Sequence, residues 1–200
     1  MALAGLFLLM FLPLHFIINL MLLKDDPVPF NKAAHFMATF PVIKIFELVL
    51  IAAILIHVSW GIWLQIQNWL SRPVGYANGQ KSDESFFSRF MIWTGASVFT
   101  FLVLHFFNFY FIKLGLVRGD PENFYSVAHA LFRIPAYDYI YLTCFVLLGF
   151  HLYYAFSSAF QTLGLNHRLW TPVVKVIALI YAILIPAGFA FIAVSLWQFS

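Results

Sequence analysis

Five long apolar stretches, separated by short polar segments, dominate the sequence. They cover approximately residues 1–23, 41–69, 88–114, 136–162 and 172–197. A helix needs about 20 apolar residues to cross the hydrocarbon core of a bilayer, and each stretch is long enough. The pattern therefore predicts an all-α integral membrane protein, a single domain over residues 1–200 in which five transmembrane helices form one bundle.

The polar segments between these stretches carry turn signals. Pro27 and Pro29 follow the first helix, residues 72–84 form a polar loop with Pro and Gly, and a tight connection over residues 164–171 leads into Pro172 at the start of the fifth helix. Residues 118–121 end the third helix, and we expect a short interfacial helix over residues 125–133.

Composition supports a membrane protein. The chain is 63% hydrophobic and 10% charged, with a mean hydropathy of +0.90, which excludes a water-soluble domain. Its net charge of +3 is spread over short loops, so we expect no nucleic-acid partner. The first apolar stretch lacks a basic leading segment and a small-residue cleavage site, which predicts a retained helix. Lys and Arg are distributed almost evenly over the two sides and do not determine the orientation.

Seven histidines occur, and four of them fall inside predicted helices. His35, His129 and His167 lie in connections, whereas His15, His57, His105 and His151 lie one each in helices one to four. A single histidine in a membrane helix is more often a neutral hydrogen-bonding group than a ligand, but one in each of four helices favours a shared function.

Depth divides these four histidines into two pairs. His15 and His105 come late in helices that leave the N-terminal side, so they lie toward the opposite side. His57 and His151 have covered a little over half of a returning helix and lie nearer the N-terminal side. Two imidazoles at one depth can ligate a haem iron from opposite faces, whereas zinc or copper sites usually need three or four converging ligands. The sequence therefore predicts two b-type haems.

Small and polar residues near the histidines fit this prediction. Gly61 follows His57 by one helical turn, where the absence of a side chain would let a porphyrin approach the backbone, and Gly149 lies two residues before His151. Gly5 and Gly95 each precede a histidine by ten residues, which places them at the depth of the other pair. They either make room for a haem there or form small-residue helix contacts. Asn19 follows His15 by one turn and is a candidate hydrogen-bond donor to it.

The sequence resembles the diheme cytochrome b membrane anchor of bacterial succinate dehydrogenase and fumarate reductase, complex II. The resemblance covers nearly the whole chain and rests on Gly5-Leu6-Phe7 before His15 and Asn19, Thr94-Gly95 before His105, Leu148-Gly149-Phe150-His151-Leu152, and the stretch from Ser158 to His167. The intervals of 42, 48 and 46 residues between the four histidines are also similar to that family's.

The resemblance implies a function. His57 and His151 would hold the haem proximal to the catalytic subunits, and His15 and His105 the distal haem. Electrons would pass from an iron–sulfur subunit, itself supplied by a flavoprotein subunit with covalent FAD, through the two haems to a quinone, with menaquinone the usual acceptor. The location would be the bacterial cytoplasmic membrane, with a cytoplasmic N-terminus. The chain itself would perform no carbon chemistry.

Other predictions are less specific. Glu47 is a weak candidate for a quinone-site residue, and an ion pair with Lys44 is the simpler expectation. His167 and Arg168 are candidates to meet haem propionates or the iron–sulfur subunit. A quinol:fumarate reductase anchor is one alternative, and a non-redox membrane protein with hydrogen-bonding histidines is another. A bc-type cytochrome is disfavoured because no helix carries two histidines.

Overall fold

The computed structural model describes residues 1–71, 83–165 and 167–199, and these ranges contain helices and no strand. The long helices are α1 (Ala2–Asn19), which continues into a 3₁₀ turn (Leu20–Leu23), α3 (Pro41–Leu70), α4 (Asp83–His105), α7 (Pro135–Thr162) and α8 (Trp170–Phe199). A π-helical turn (Phe106–Tyr110) joins α4 to the short helix α5 (Phe111–Lys113). Two further helices, α2 (Pro27–Thr39) and α6 (Phe124–Phe132), lie in connections.

Among the described residues, five helical segments are long and apolar enough to cross a membrane, which confirms the prediction of a multi-pass protein built from helices. They are Ala2–Leu23, Pro41–Leu70, Met91–Lys113, Pro135–Thr162 and Trp170–Gln198. The predicted spans agree with them within a few residues, although α4 begins at Asp83, earlier than the predicted residue 88. Most of the predicted loop over residues 72–84 lies outside the described residues.

The far face of the bundle, opposite Met1, carries both extra helices. The predicted interfacial helix is present as α6, but α2 was not predicted, because Pro27 and Pro29 were interpreted only as helix terminators. The Asp26 carboxylate accepts a hydrogen bond from the Val28 amide at 2.9 Å, and Pro27 occupies the first position of α2, where a missing N–H has no cost.

Packing is uneven around the bundle. α7 buries a stripe of residues at helical spacing against α8 and its other neighbours, whereas Ala53 is the one buried residue of α3. Gly149 allows the close approach of α7 and α8, since a Cβ atom there would lie 2.9 Å from the Ala182 carbonyl oxygen. The tightly packed part of the protein is therefore the α7–α8 side, and α3 lies at its loosely packed edge.

Candidate functional site: two histidine pairs

The structure brings the four helix histidines together in the two pairs that their depths predict. The ring centres of His15 and His105 lie 5.8 Å apart with planes at 87°. Those of His57 and His151 lie 6.3 Å apart with planes at 86°. We call these the far pair and the near pair, after the face of the bundle that each approaches.

Each pair connects helices that lie diagonally across a group of four. α1 packs against α3 and α7, and α4 packs against α7 and only briefly against α3. Within the described residues, neither α1 and α4 nor α3 and α7 share an extensive direct contact. Since the helices of each pair are not in close contact, their histidines face each other across the centre of the four-helix group.

The far pair lies among aromatic side chains. Phe11 stacks on the His15 ring at 5.3 Å, and Phe109 lies 5.1 Å from the His105 ring. The Asn19 amide donates to the His15 carbonyl oxygen at 2.8 Å and lies 3.4 Å from the ring Nδ1. The predicted contact between Asn19 and His15 is thus present, and its shorter hydrogen bond goes to the backbone.

A second polar contact beside the far pair was not predicted. The π-helical turn begins directly after His105, and within it Asn108 donates a hydrogen bond to the Tyr141 hydroxyl at 2.9 Å. The Tyr141 ring centre lies 6.4 Å from that of His105. π-Helical turns are rare and often occur at functional sites. Asn108 and Tyr141 gave no distinct signal in the sequence, because the π-helical shift in register cannot be read from the residue pattern.

Two glycines pack against the near pair. A Cβ atom on Gly5 would lie 3.3 Å from His57 Cε1, and one on Gly95 would lie 3.4 Å from His151 Cε1. The predicted depth of these glycines is confirmed. They make room for the imidazoles themselves, which holds each histidine close to a neighbouring helix.

The other two glycines serve different contacts. The Met1 side chain lies over Gly61, 3.5 Å from a Cβ atom placed there. Gly149 faces the Ala182 carbonyl of α8 and therefore packs against that helix, not beside His151. Because Gly149 precedes His151 by two residues, it lies on the opposite side of α7.

The spacing of each pair fits a shared metal ion. Two imidazoles on opposite sides of one ion have ring centres roughly 6 Å apart, since each metal–nitrogen bond is about 2 Å and the nitrogen lies about 1 Å from the ring centre. Within the described residues, no group of three or more His, Cys, Asp or Glu side chains converges on a point. An ion between two histidines would therefore need ligands from elsewhere, as a porphyrin supplies them.

Buried Nδ1 atoms add a second observation. Nδ1 of His57, His105 and His151 is buried without a hydrogen-bond partner in the described part of the chain. These atoms therefore do not link helices, which counts against histidines placed for interhelical hydrogen bonds through Nδ1. The residues present fit a bis-histidine haem, and haem binding itself stays a prediction.

Glu47 lies at the far face beside a cavity. Its carboxylate pairs with Lys113 Nζ at 2.6 Å, so the expected partner Lys44 is wrong. The two groups meet because the start of α3 and the end of α5 lie close together in space. The two residues are far apart in the sequence, so this contact could not be predicted from it. A cavity of about 480 Å³ adjoins this ion pair, and its polar lining includes Asn31, His35, Lys44 and Glu122.

His167 lies exposed at the near face, in the turn before α8. Its Nδ1 accepts a hydrogen bond from the Leu169 amide at 3.3 Å, which helps to shape this turn. A contact of His167 or Arg168 with a haem propionate or a partner subunit stays a prediction.

Asp138 is a buried carboxylate that was missed in the sequence. It is 1% exposed, and neither carboxylate oxygen has a hydrogen-bond partner among the described residues. Its position, three residues after Pro135, resembles an ordinary helix start, where acidic residues are common. The signal that could have revealed it is a charge within the otherwise apolar run of α7.

Comparisons with known proteins identify no relative: no family model matches the chain, and no curated protein or solved structure does so.

Proposed function

We propose that the chain is the membrane-anchor cytochrome b subunit of a succinate:quinone oxidoreductase. The observation that supports this most is the presence of two histidine pairs at two depths, each from diagonal helices and each with the ring spacing that one iron ion requires. His57 and His151 would hold the proximal haem, and His15 and His105 the distal haem. When bound, the haems supply one-electron transfer between an iron–sulfur subunit and a quinone, with menaquinone as the favoured acceptor.

The residues of this chain position and insulate those centres. Gly5 and Gly95 hold the near imidazoles against neighbouring helices, and Phe11 and Phe109 pack around the far imidazoles. Apolar surroundings restrict access of water to the metal and influence its redox potential.

Partners and location follow from the same proposal. The near face would lie in the bacterial cytoplasm, where the iron–sulfur subunit docks and the FAD-containing flavoprotein binds to it. The opposite face would carry the quinone site, for which the cavity beside Glu47 and Lys113 is the candidate. A quinone carbonyl there could accept a hydrogen bond from Lys113, and the Glu47 carboxylate could exchange a proton.

Replacement of single histidines tests the proposal. The wild-type chain should contain two b haems, measured by a reduced-minus-oxidised spectrum and pyridine haemochrome quantitation. His57→Ala or His151→Ala should remove one haem signal, and His15→Ala or His105→Ala the other. His35→Ala is the matched control, because His35 lies exposed at the far face and outside both pairs, and it should retain both haems.

Two outcomes would contradict the proposal in different ways. A wild-type chain without haem would favour the non-redox alternative. A haem-containing complex whose flavoprotein and iron–sulfur subunits reduce fumarate faster than they oxidise succinate would favour the alternative, an anchor of a quinol:fumarate reductase. In that enzyme, electrons would pass through the same scaffold in the opposite direction.

A further inference from the structure

Asp138 belongs to the core-facing stripe of α7. The buried residues of this helix are Asp138, Tyr141, Phe145, Leu148, Leu152 and Ala159, whose spacing places them along one face. Asp138 therefore points into the bundle from the far end of the same face that carries Tyr141, the residue beside His105.

A carboxylate in this position is costly unless its charge is compensated. Charged side chains inside a membrane protein normally pair with one another or take up a proton. Of the described elements packed against α7, α1 offers His15, α4 offers His105, and α6 offers His129 with Arg133 at its end. α8 carries no charged residue after Lys175. None of these groups is hydrogen-bonded to Asp138, so a bound proton or a positive charge at the far pair must compensate its charge.

The carboxyl group is close enough to the far pair to respond to its charge. Asp138 precedes Tyr141 by one turn, an axial step of about 4.5 Å, and the Tyr141 ring centre is 6.4 Å from that of His105. The carboxyl group thus lies on the order of 10 Å from the His105 imidazole. At this separation and an effective dielectric constant of about 20, one unit charge changes the proton affinity of a carboxylate roughly tenfold.

From this arrangement, and resting on the proposed function, we infer that Asp138 is a proton-binding group coupled to the redox state of the far centre, the iron held by His15 and His105. A bound haem would supply one-electron chemistry at this centre. For each electron that the centre received from the iron–sulfur partner, the Asp138 carboxylate would bind one proton from water at the far face, and it would release that proton when the electron passed to quinone. The proton compensates the added electron and keeps the net charge of the interior constant.

The pH dependence of the two redox potentials tests this coupling in the purified complex. The far-centre potential of the wild type should fall as pH rises, by a total of about 59 mV, the equivalent of a tenfold coupling for a one-electron centre. Asp138→Asn cannot exchange this proton, so its far-centre potential should become independent of pH over the same range. Asp25→Asn, which alters an exposed carboxylate on the same face but outside the cavity, is the control and should keep the wild-type slope.

Infrared difference spectra of the wild type give a second readout that does not require a variant to assemble. Reduction should increase the intensity of the carbonyl-stretch band of a protonated carboxylic acid. Labelling aspartate with carbon-13 should move that band to lower frequency. A complex with haem whose far-centre potential does not vary with pH, or whose slope persists in Asp138→Asn, would overturn the inference alone. A complex without haem would overturn the proposed function as well.

Discussion

The two histidine pairs have similar ring spacing but different surroundings. The near pair packs against Gly5 and Gly95, so its geometry depends on the absence of side chains on neighbouring helices. The far pair lies among aromatic rings with Asn19, Asn108 and Tyr141 close by, and α2 and α6 lie beyond it at the far face. The difference teaches that the position of the near imidazoles depends on the space left by glycines. The far imidazoles lie instead among polar groups that can act on them by hydrogen bonding.

The largest expected effect is the loss of one centre by filling the space that Gly95 leaves. Gly95→Leu should displace the His151 ring, because a Cβ atom there would already contact the ring at 3.4 Å and the rest of the leucine side chain adds volume beside it. Under the proposed function, the haem signal of the near pair should disappear and that of the far pair should remain in reduced-minus-oxidised spectra. Gly95→Ala adds only that Cβ atom and should keep both signals. Loss of the far haem signal instead would contradict the contact between Gly95 and the near pair.

A smaller effect concerns the stability of the fold, which should depend on Gly149 but not on Gly61. Gly149→Ala places a Cβ atom 2.9 Å from the Ala182 carbonyl oxygen and should reduce the free energy of unfolding by about 1–3 kcal/mol. The same substitution at Gly61 meets only the flexible end of Met1 at 3.5 Å and should be neutral or slightly stabilising. Thermal unfolding in detergent measures both. Equal stability of the two variants would show that α7 and α8 can move apart without cost.

A third prediction concerns the polar surroundings of the far pair. Tyr141→Phe removes the acceptor of the Asn108 hydrogen bond and should cost about 1 kcal/mol of stability. Under the proposed function, only the haem held by the far pair should change its optical or electron paramagnetic resonance signal. The control is Tyr139→Phe, on the same helix but exposed at the surface, which should leave both signals unchanged. A change confined to the near signal would contradict the proximity of Tyr141 to His105.

The smallest expected effect is a pH dependence at the far face. Burial is the main cause that lowers the pKa of His129, and its Nε2–H donates to the Leu22 carbonyl oxygen at 3.3 Å. The unfolded chain therefore binds a proton more readily than the folded one. The contribution of His129 is fully present above about pH 6.5 and is lost as pH falls below that value. Unfolding temperatures measured across this range should decrease less in His129→Gln than in the wild type; an equal decrease would contradict this role of His129.

Much of the architecture could be predicted from hydropathy. The five spans and α6 were predicted within a few residues, because apolar length and polar turns are local properties. The pairing of the histidines was also predictable, since residue number fixes depth once a helix crosses the membrane. α2 was missed because its prolines were interpreted only as terminators, although Pro27 follows the N-cap Asp26.

The remaining features depend on lateral contacts between helices, which no local pattern contains. Residue positions could not show that Glu47 meets Lys113, that Gly149 faces α8, or that Asp138 is buried with no hydrogen-bond partner in the described part of the chain. The sequence by itself determined the membrane class of the protein, the number of spans and the depth of each histidine, because each follows from composition and a constant helical rise. The tertiary structure decided which side chains fill, line or close the space around each pair, because rotation and packing of whole helices determine those contacts.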